Sequence, residues 1–108
     1  MCQFKSILNT EDGYIVRCNH CKYFNIGFGT NVLSMTFDQF FDFSQTIDEY
    51  YEIHKYTDCP HRKIIQIPTI VRSIILLYSF NELAKLKEML GTARDVITKD
   101  KLFVFNDN

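Results

Sequence analysis

The run Thr36-Phe37-Asp38-Gln39-Phe40 recurs in kind as Ser79-Phe80-Asn81-Glu82-Leu83, and this recurrence constrains the fold more than any other feature. A Ser or Thr followed three residues later by Gln or Glu is a capping box. Each side chain accepts a hydrogen bond from the other residue's backbone N–H, at the point where a helix start leaves its donors without partners. Two boxes predict two helices. Apolar residues at helical spacing follow both: Phe37, Phe40, Phe41, Ile47 and Tyr51 after the first, and Leu83, Leu86, Leu90, Ala93 and Ile97 after the second. The first helix is predicted over Phe37–His54.

The segments before each box read as strands. "CQFKSIL" and "YIVRC" flank the turn-rich "NTEDG" and predict a hairpin. "KYFNIGF" places Phe24, Ile26 and Phe28 on one face, "GTN" turns the chain, and "VLSM" returns. In the second half "KIIQIPT" and "SIILLY" repeat the plan, and "KLFVF" reads as a last strand or a tail packed on the sheet. Cys18-Asn19-His20-Cys21-Lys22 lines up with Cys59-Pro60-His61-Arg62-Lys63. That offset is two residues shorter than the offset between the boxes, which fits a longer connection between the second pair of strands. The expectation is a single α+β domain over residues 1–108, with about six mainly antiparallel strands and two helices packed on one face. An internal strand–strand–helix duplication would then divide it into halves 18–56 and 59–98. The alternative is that this local order is common and the two Cys-x-His runs coincide by chance.

Ten Phe and six Tyr within a 46% hydrophobic chain supply a core, which excludes disorder by composition. Twelve basic against thirteen acidic residues exert no global pull on nucleic acid or an anionic membrane, so neither is an expected partner. The longest apolar run, "IILLY", is too short to span a bilayer. With no signal-like apolar stretch near the N-terminus, the expected location is the cytoplasm. There, cysteines serve as thiols or metal ligands more often than as structural disulfides.

Cys18 and Cys21 have the spacing of half a structural zinc site, because a tight Cys-x-x-Cys knuckle lets both sulfurs reach one ion. If "NTEDG" closes the first hairpin, its register carries Cys2 toward Cys21. The candidate metal ligands are therefore Cys2, Cys18, Cys21, Cys59 and His61, with His20 less suited because it shares the crowded knuckle. Four protein ligands would make the zinc structural and leave no open position for catalysis. Two other readings stand beside it. The cysteines could be buried inert thiols, or Cys18 and Cys21 could be a redox pair. Cys-Asn-His-Cys resembles the active site of protein disulfide isomerases, but here the second cysteine runs into a strand and no tryptophan precedes the motif. No Gly-x-Ser-x-Gly or His-Glu-x-x-His is present, and the expectation leans away from an enzyme. Arg17, Lys22, Arg62 and Lys63 flank the cysteine segments as a candidate basic patch. His54 suits the C-terminal end of a helix dipole. The aromatic first helix, with Tyr50, Tyr51 and Tyr56, is mainly core and could also supply a dimer contact.

The Met-Cys start, the hairpin, Cys18-x-x-Cys21, the "FGT" turn, "RKIIQIPT" and "SFNELAKLKEML" together resemble a family of short, uncharacterised bacterial proteins of unknown function. The resemblance implies a small soluble stand-alone protein and brings no activity or ligand set with it. It rests on the Cys-x-x-Cys pair more than on Cys59-Pro60-His61. The expected function is that of a small cytoplasmic zinc-binding module that works through a protein partner or as a homodimer.

Overall fold

A computed structural model describes residues 3–99 of the chain. Six antiparallel strands and two helices follow in the order β1 (Phe4–Thr10), β2 (Gly13–Cys18), β3 (Phe24–Phe28), β4 (Asn31–Met35), α1 (Phe37–His54), β5 (Ile65–Pro68), β6 (Ile75–Tyr78) and α2 (Phe80–Lys99). The strands divide into two sheets, a four-stranded meander β1-β2-β3-β4 and a separate hairpin β5-β6. The expected "KLFVF" strand and Cys2 lie outside the described residues.

Both capping boxes form. Thr36 N–H donates to Gln39 Oε1 at 2.9 Å while Gln39 N–H donates to Thr36 Oγ1 at 3.2 Å. Ser79 and Glu82 repeat the exchange at 2.9 and 3.2 Å. The boxes also sit at equivalent points of the two hairpins. Met35, immediately before Thr36, pairs with Phe24, and Tyr78, immediately before Ser79, pairs with Ile65. The order hairpin, capping box, helix thus occurs twice.

Period-two alternation sends Ile15, Phe24, Ile26, Phe28 and Met35 from the meander to one core, where they meet Phe40 and Ile47 of α1 and the buried stripe of α2. The hairpin adds Ile65, Ile67, Leu76 and Tyr78, while its Gln66, Pro68, Ile75 and Leu77 face outward. All five residues expected in the stripe of α2 are buried, together with Met89. In α1 the stripe is thinner: Phe37, Phe41 and Tyr51 are half-buried, and the small Ser44 takes a fully buried place. The helices run antiparallel. Asp48 of α1 meets Lys87 and Arg94 of α2 at 3.6 and 3.3 Å, while Tyr51, nearer the end of α1, lies against Phe80 at the start of α2.

The first hairpin departs from the expected register. Thr10, Asn9 and Leu8 pair with Gly13, Tyr14 and Ile15 as expected, but from Ser6 downward the pairing shifts by one residue around Ile7. Ile7 and Leu8 are sequence neighbours that both pack against the core, which a regular strand forbids because successive side chains alternate. A bulge turns both inward.

At the other end of that hairpin two glycines permit a close approach. A Cβ on Gly13 would strike the Gly27 carbonyl oxygen, which is held by the sheet; a Cβ on Gly27 would strike only the ring of Tyr14, a partly exposed side chain able to swing aside. Gly13→Ala is therefore expected to cost at least about 2 kcal/mol, and Gly27→Ala roughly 1 kcal/mol, read from urea unfolding midpoints.

Glu82 makes a second prediction. Burial pushes its carboxyl upward, but bonds from Ser79 and Lys63 outweigh that and hold it below its ordinary 4.5. A lowered folded value means that the carboxylate's stabilisation is complete above the unfolded value and is lost as pH falls through the folded one. The stability advantage of the wild type over Glu82→Gln should be constant near neutrality and shrink below about pH 4.5, as measured by denaturation at a series of pH values.

Candidate metal centre

The segment that joins β2 to β3 is a tight knuckle. Cys18 ends β2 with its N–H donating to Tyr23 O at 2.8 Å, and its own carbonyl accepts from Lys22 N–H at 3.2 Å. Lys22 takes a left-handed conformation, φ 63°, which an L-residue adopts at a steric cost. That turn reverses the chain into β3. Within the loop, the backbone N–H of Cys21 donates to Cys18 Sγ at 3.2 Å. That bond fixes where the sulfur sits relative to the loop backbone. Cys18 is fully buried and Cys21 is exposed, so the pair spans the boundary between interior and solvent. Asn19 N–H donates to Gln3 O at 2.9 Å, which ties the N-terminal strand to the knuckle.

The core anchors this loop to one end of the molecule. Phe24, six residues after Cys18, stacks on Phe40 with ring centres 5.1 Å apart and lies 6.0 Å from Phe37. The knuckle therefore belongs to the end where α1 starts. Cys59 and His61 belong to the other. Pro60 O accepts from Asn81 N–H at 2.9 Å, at the start of α2, which lies beside the end of α1. The helix that runs from the one end to the other, α1, has 18 residues and is about 27 Å long.

The structure thus brings Cys18 and Cys21 together and places Cys59 and His61 elsewhere, while Cys2 falls outside the described residues. Among the described residues, no group of three or more His, Cys, Asp or Glu side chains is gathered around a point that could hold an ion. A set of Cys18, Cys21, Cys59 and His61 on one ion does not form. The reason is topological: the two Cys-x-His elements precede equivalent hairpins, and the intervening helix carries them to opposite ends.

The expected basic patch divides in the same way. Arg17 is buried on the core face beside Phe24, and its guanidinium is lowered from its ordinary value by burial, against the pull of neighbouring Cys18. Lys63 pairs with Glu82 at 3.1 Å near the start of α2. The chain after Cys21 enters Lys22 and strand β3, so neither cysteine begins a helix. His54 occupies the last turn of α1 and stacks on Tyr50. Tyr78 holds a buried hydroxyl that has no hydrogen-bond partner among the described residues. Burial and the charge of Glu82 push its pKa up to about 12, so it keeps its proton near neutrality.

Sequence reasoning found the two cysteines from their spacing. It missed the left-handed Lys22, since nothing about lysine announces a positive φ, and it missed the burial of Arg17, a residue type that is mostly exposed.

No helix among the described residues is long and apolar enough to cross a membrane. No curated protein and no solved structure matches the chain. The model of the Family of unknown function (DUF6686) matches residues 1–107, and the chain, with its Cys-x-x-Cys knuckle and twice-used hairpin–cap–helix order, belongs to that family.

Proposed function

We propose that this chain is a small zinc-binding protein that uses the Cys18–Cys21 knuckle and acts as an interaction module without catalysis of its own. The observation that carries this reading is the bond from Cys21 N–H to Cys18 Sγ within a loop closed by Lys22. It holds the Cys18 sulfur within the loop with a second thiol three residues away, the usual half of a zinc site. Cys2, one residue before the Gln3 whose carbonyl meets the knuckle, is the third ligand of this proposal. His20, exposed in the same turn, is the remaining candidate. Cys59 and His61 are left out because α1 stands between them and the pair.

A thiol–disulfide role is less well supported. An attacking thiol needs exposure, whereas Cys18, the sulfur that accepts the loop's hydrogen bond, is fully buried.

Metal analysis of protein purified without a histidine tag is expected to give about one zinc per chain. Cys21 is exposed, so Cys21→Ser removes little packing. A loss of several kcal/mol in that variant, matched in the wild type by chelation, would come from lost metal, because binding such an ion is itself folding free energy. Cys2→Ser should lower the zinc content, and Cys59→Ser and His61→Ala should leave it unchanged. Protein that contains no metal and is as stable after Cys21→Ser as before would overturn the proposal.

A further inference from the structure

Single exposed hydrophobic residues are ordinary on a protein surface, whereas a contiguous group of them is not. Ile64, Ile70, Val71, Ile74, Ile75 and Leu77 all belong to the β5-β6 hairpin, its base or its tip, and each is 47–71% exposed. Strand pairing explains part of the arrangement. Gln66 pairs with Leu77 and Pro68 with Ile75, so these four share the outward face, while Ile65, Ile67, Leu76 and Tyr78 fill the core from the other. Ile64 continues the outward row at the base of the hairpin. Arg72, in the tip, is the only charged residue between Ile64 and Leu77.

The area matches a definite kind of cover. At about half exposure each, the six aliphatic side chains present on the order of 500 Å² of apolar surface, the upper end of what one patch on a monomer exposes. Each partner of a stable pair contributes about 800 Å², and in homodimers about 65% of it is apolar. The patch supplies that share. The chain's own apolar segment after α2, Leu102–Phe105, does not reach the whole face. α2 runs for 20 residues, about 30 Å, from Phe80 at the hairpin's base to Lys99. The six residues from there to Phe105 span at most about 20 Å, which falls short of Ile64 beside the Ile65–Tyr78 pair. A lipid surface would leave the Gln66 amide and the open edges of a two-stranded sheet without partners in hydrocarbon.

We propose that the outward faces of two β5-β6 hairpins pack on each other about a two-fold axis, so that a second copy of this chain is the occupant. Sheets stack face to face about 10 Å apart with their side chains interdigitated. Gln66, the one polar side chain among the paired outward residues, carries both a donor and an acceptor and is satisfied by its own symmetry mate. Antiparallel strands across the axis put the two tips at opposite ends and keep the two Arg72 side chains apart; parallel strands would bring these like charges together. The pairing rests on the interaction-module reading above and names its partner, but it uses none of the knuckle residues.

Sedimentation equilibrium of the full-length protein, with zinc content measured on the same samples, tests the pairing. The wild type should be a dimer by about 100 µM, and Ile75→Asp should weaken association at least about tenfold. Ile75 is half exposed and faces away from the core, so the monomer keeps its packing. A second measurement needs no variant. In a mixture of isotope-labelled and unlabelled protein, NMR contacts between copies should join residues 64–77 of one to residues 64–77 of the other. A wild type that stays monomeric at that concentration would overturn the proposal, in favour of a different partner for the face. A dimer undiminished by Ile75→Asp, or contacts between copies through other residues, would overturn it in favour of another surface. A dimer with these contacts in metal-free protein would keep this inference while the zinc proposal failed.

Discussion

The stack of Phe24 on Phe40, with centres 5.1 Å apart, joins the middle of the meander to the first turns of α1, and the placement of both cysteine elements depends on it. Phe24 is 1% exposed and Phe40 is fully buried, so each ring contributes most of its area to the core, about 1.5–3 kcal/mol of burial apiece. The pair does more than add apolar area. Phe24 pairs across the strands with Arg17 on one side and Met35 on the other, and Met35 precedes the Thr36 cap. One aromatic contact therefore holds the end of β2, the knuckle and the start of α1 at the same corner.

The second half uses the same local device with a different filler. Ile65 replaces Phe24 before the return strand, Tyr78 replaces Met35, and the Ser79 cap starts α2. Each Cys-x-His run is followed six residues after its cysteine by the buried strand residue, and in each the cysteine carbonyl accepts a 3.2 Å bond from a basic residue's N–H, Lys22 or Arg62. Similar local structure does not place the two runs together. Antiparallel packing of α1 on α2 puts the starts of the two helices at opposite ends, and whatever precedes each helix goes with it.

The two sheets also have unequal exposures. The meander covers one face with helices, whereas the short hairpin keeps Ile75 and Leu77 outward, at 56% and 47% exposure, beside an equally apolar tip. Natural edges are commonly protected by charge or by covering elements. Between Ile64 and Leu77 the only charged residue is Arg72, so this side of the molecule lacks that protection. This gives the outward face of the β5-β6 hairpin its chemical character.

The sequence by itself determined the elements whose causes are local. Alternation at Phe24, Ile26 and Phe28, the reciprocal bonds of Thr36–Gln39 and Ser79–Glu82, and the helical spacing from Leu83 to Ile97 each operate within a few residues, and the strands and helices they imply all form. The Cys-x-x-Cys pair was legible for the same reason, since three residues suffice to bring two side chains into one turn. Only the tertiary structure decided what depends on several segments at once. The bulge at Ile7 exists because two neighbouring apolar residues share one core. The six described strands form two sheets and not one, and Cys59 and His61 lie toward the other end of α1 from Cys18. The last of these follows from how α1 packs against α2, a contact between residues about 30 to 40 apart in the chain, on which no local pattern bears.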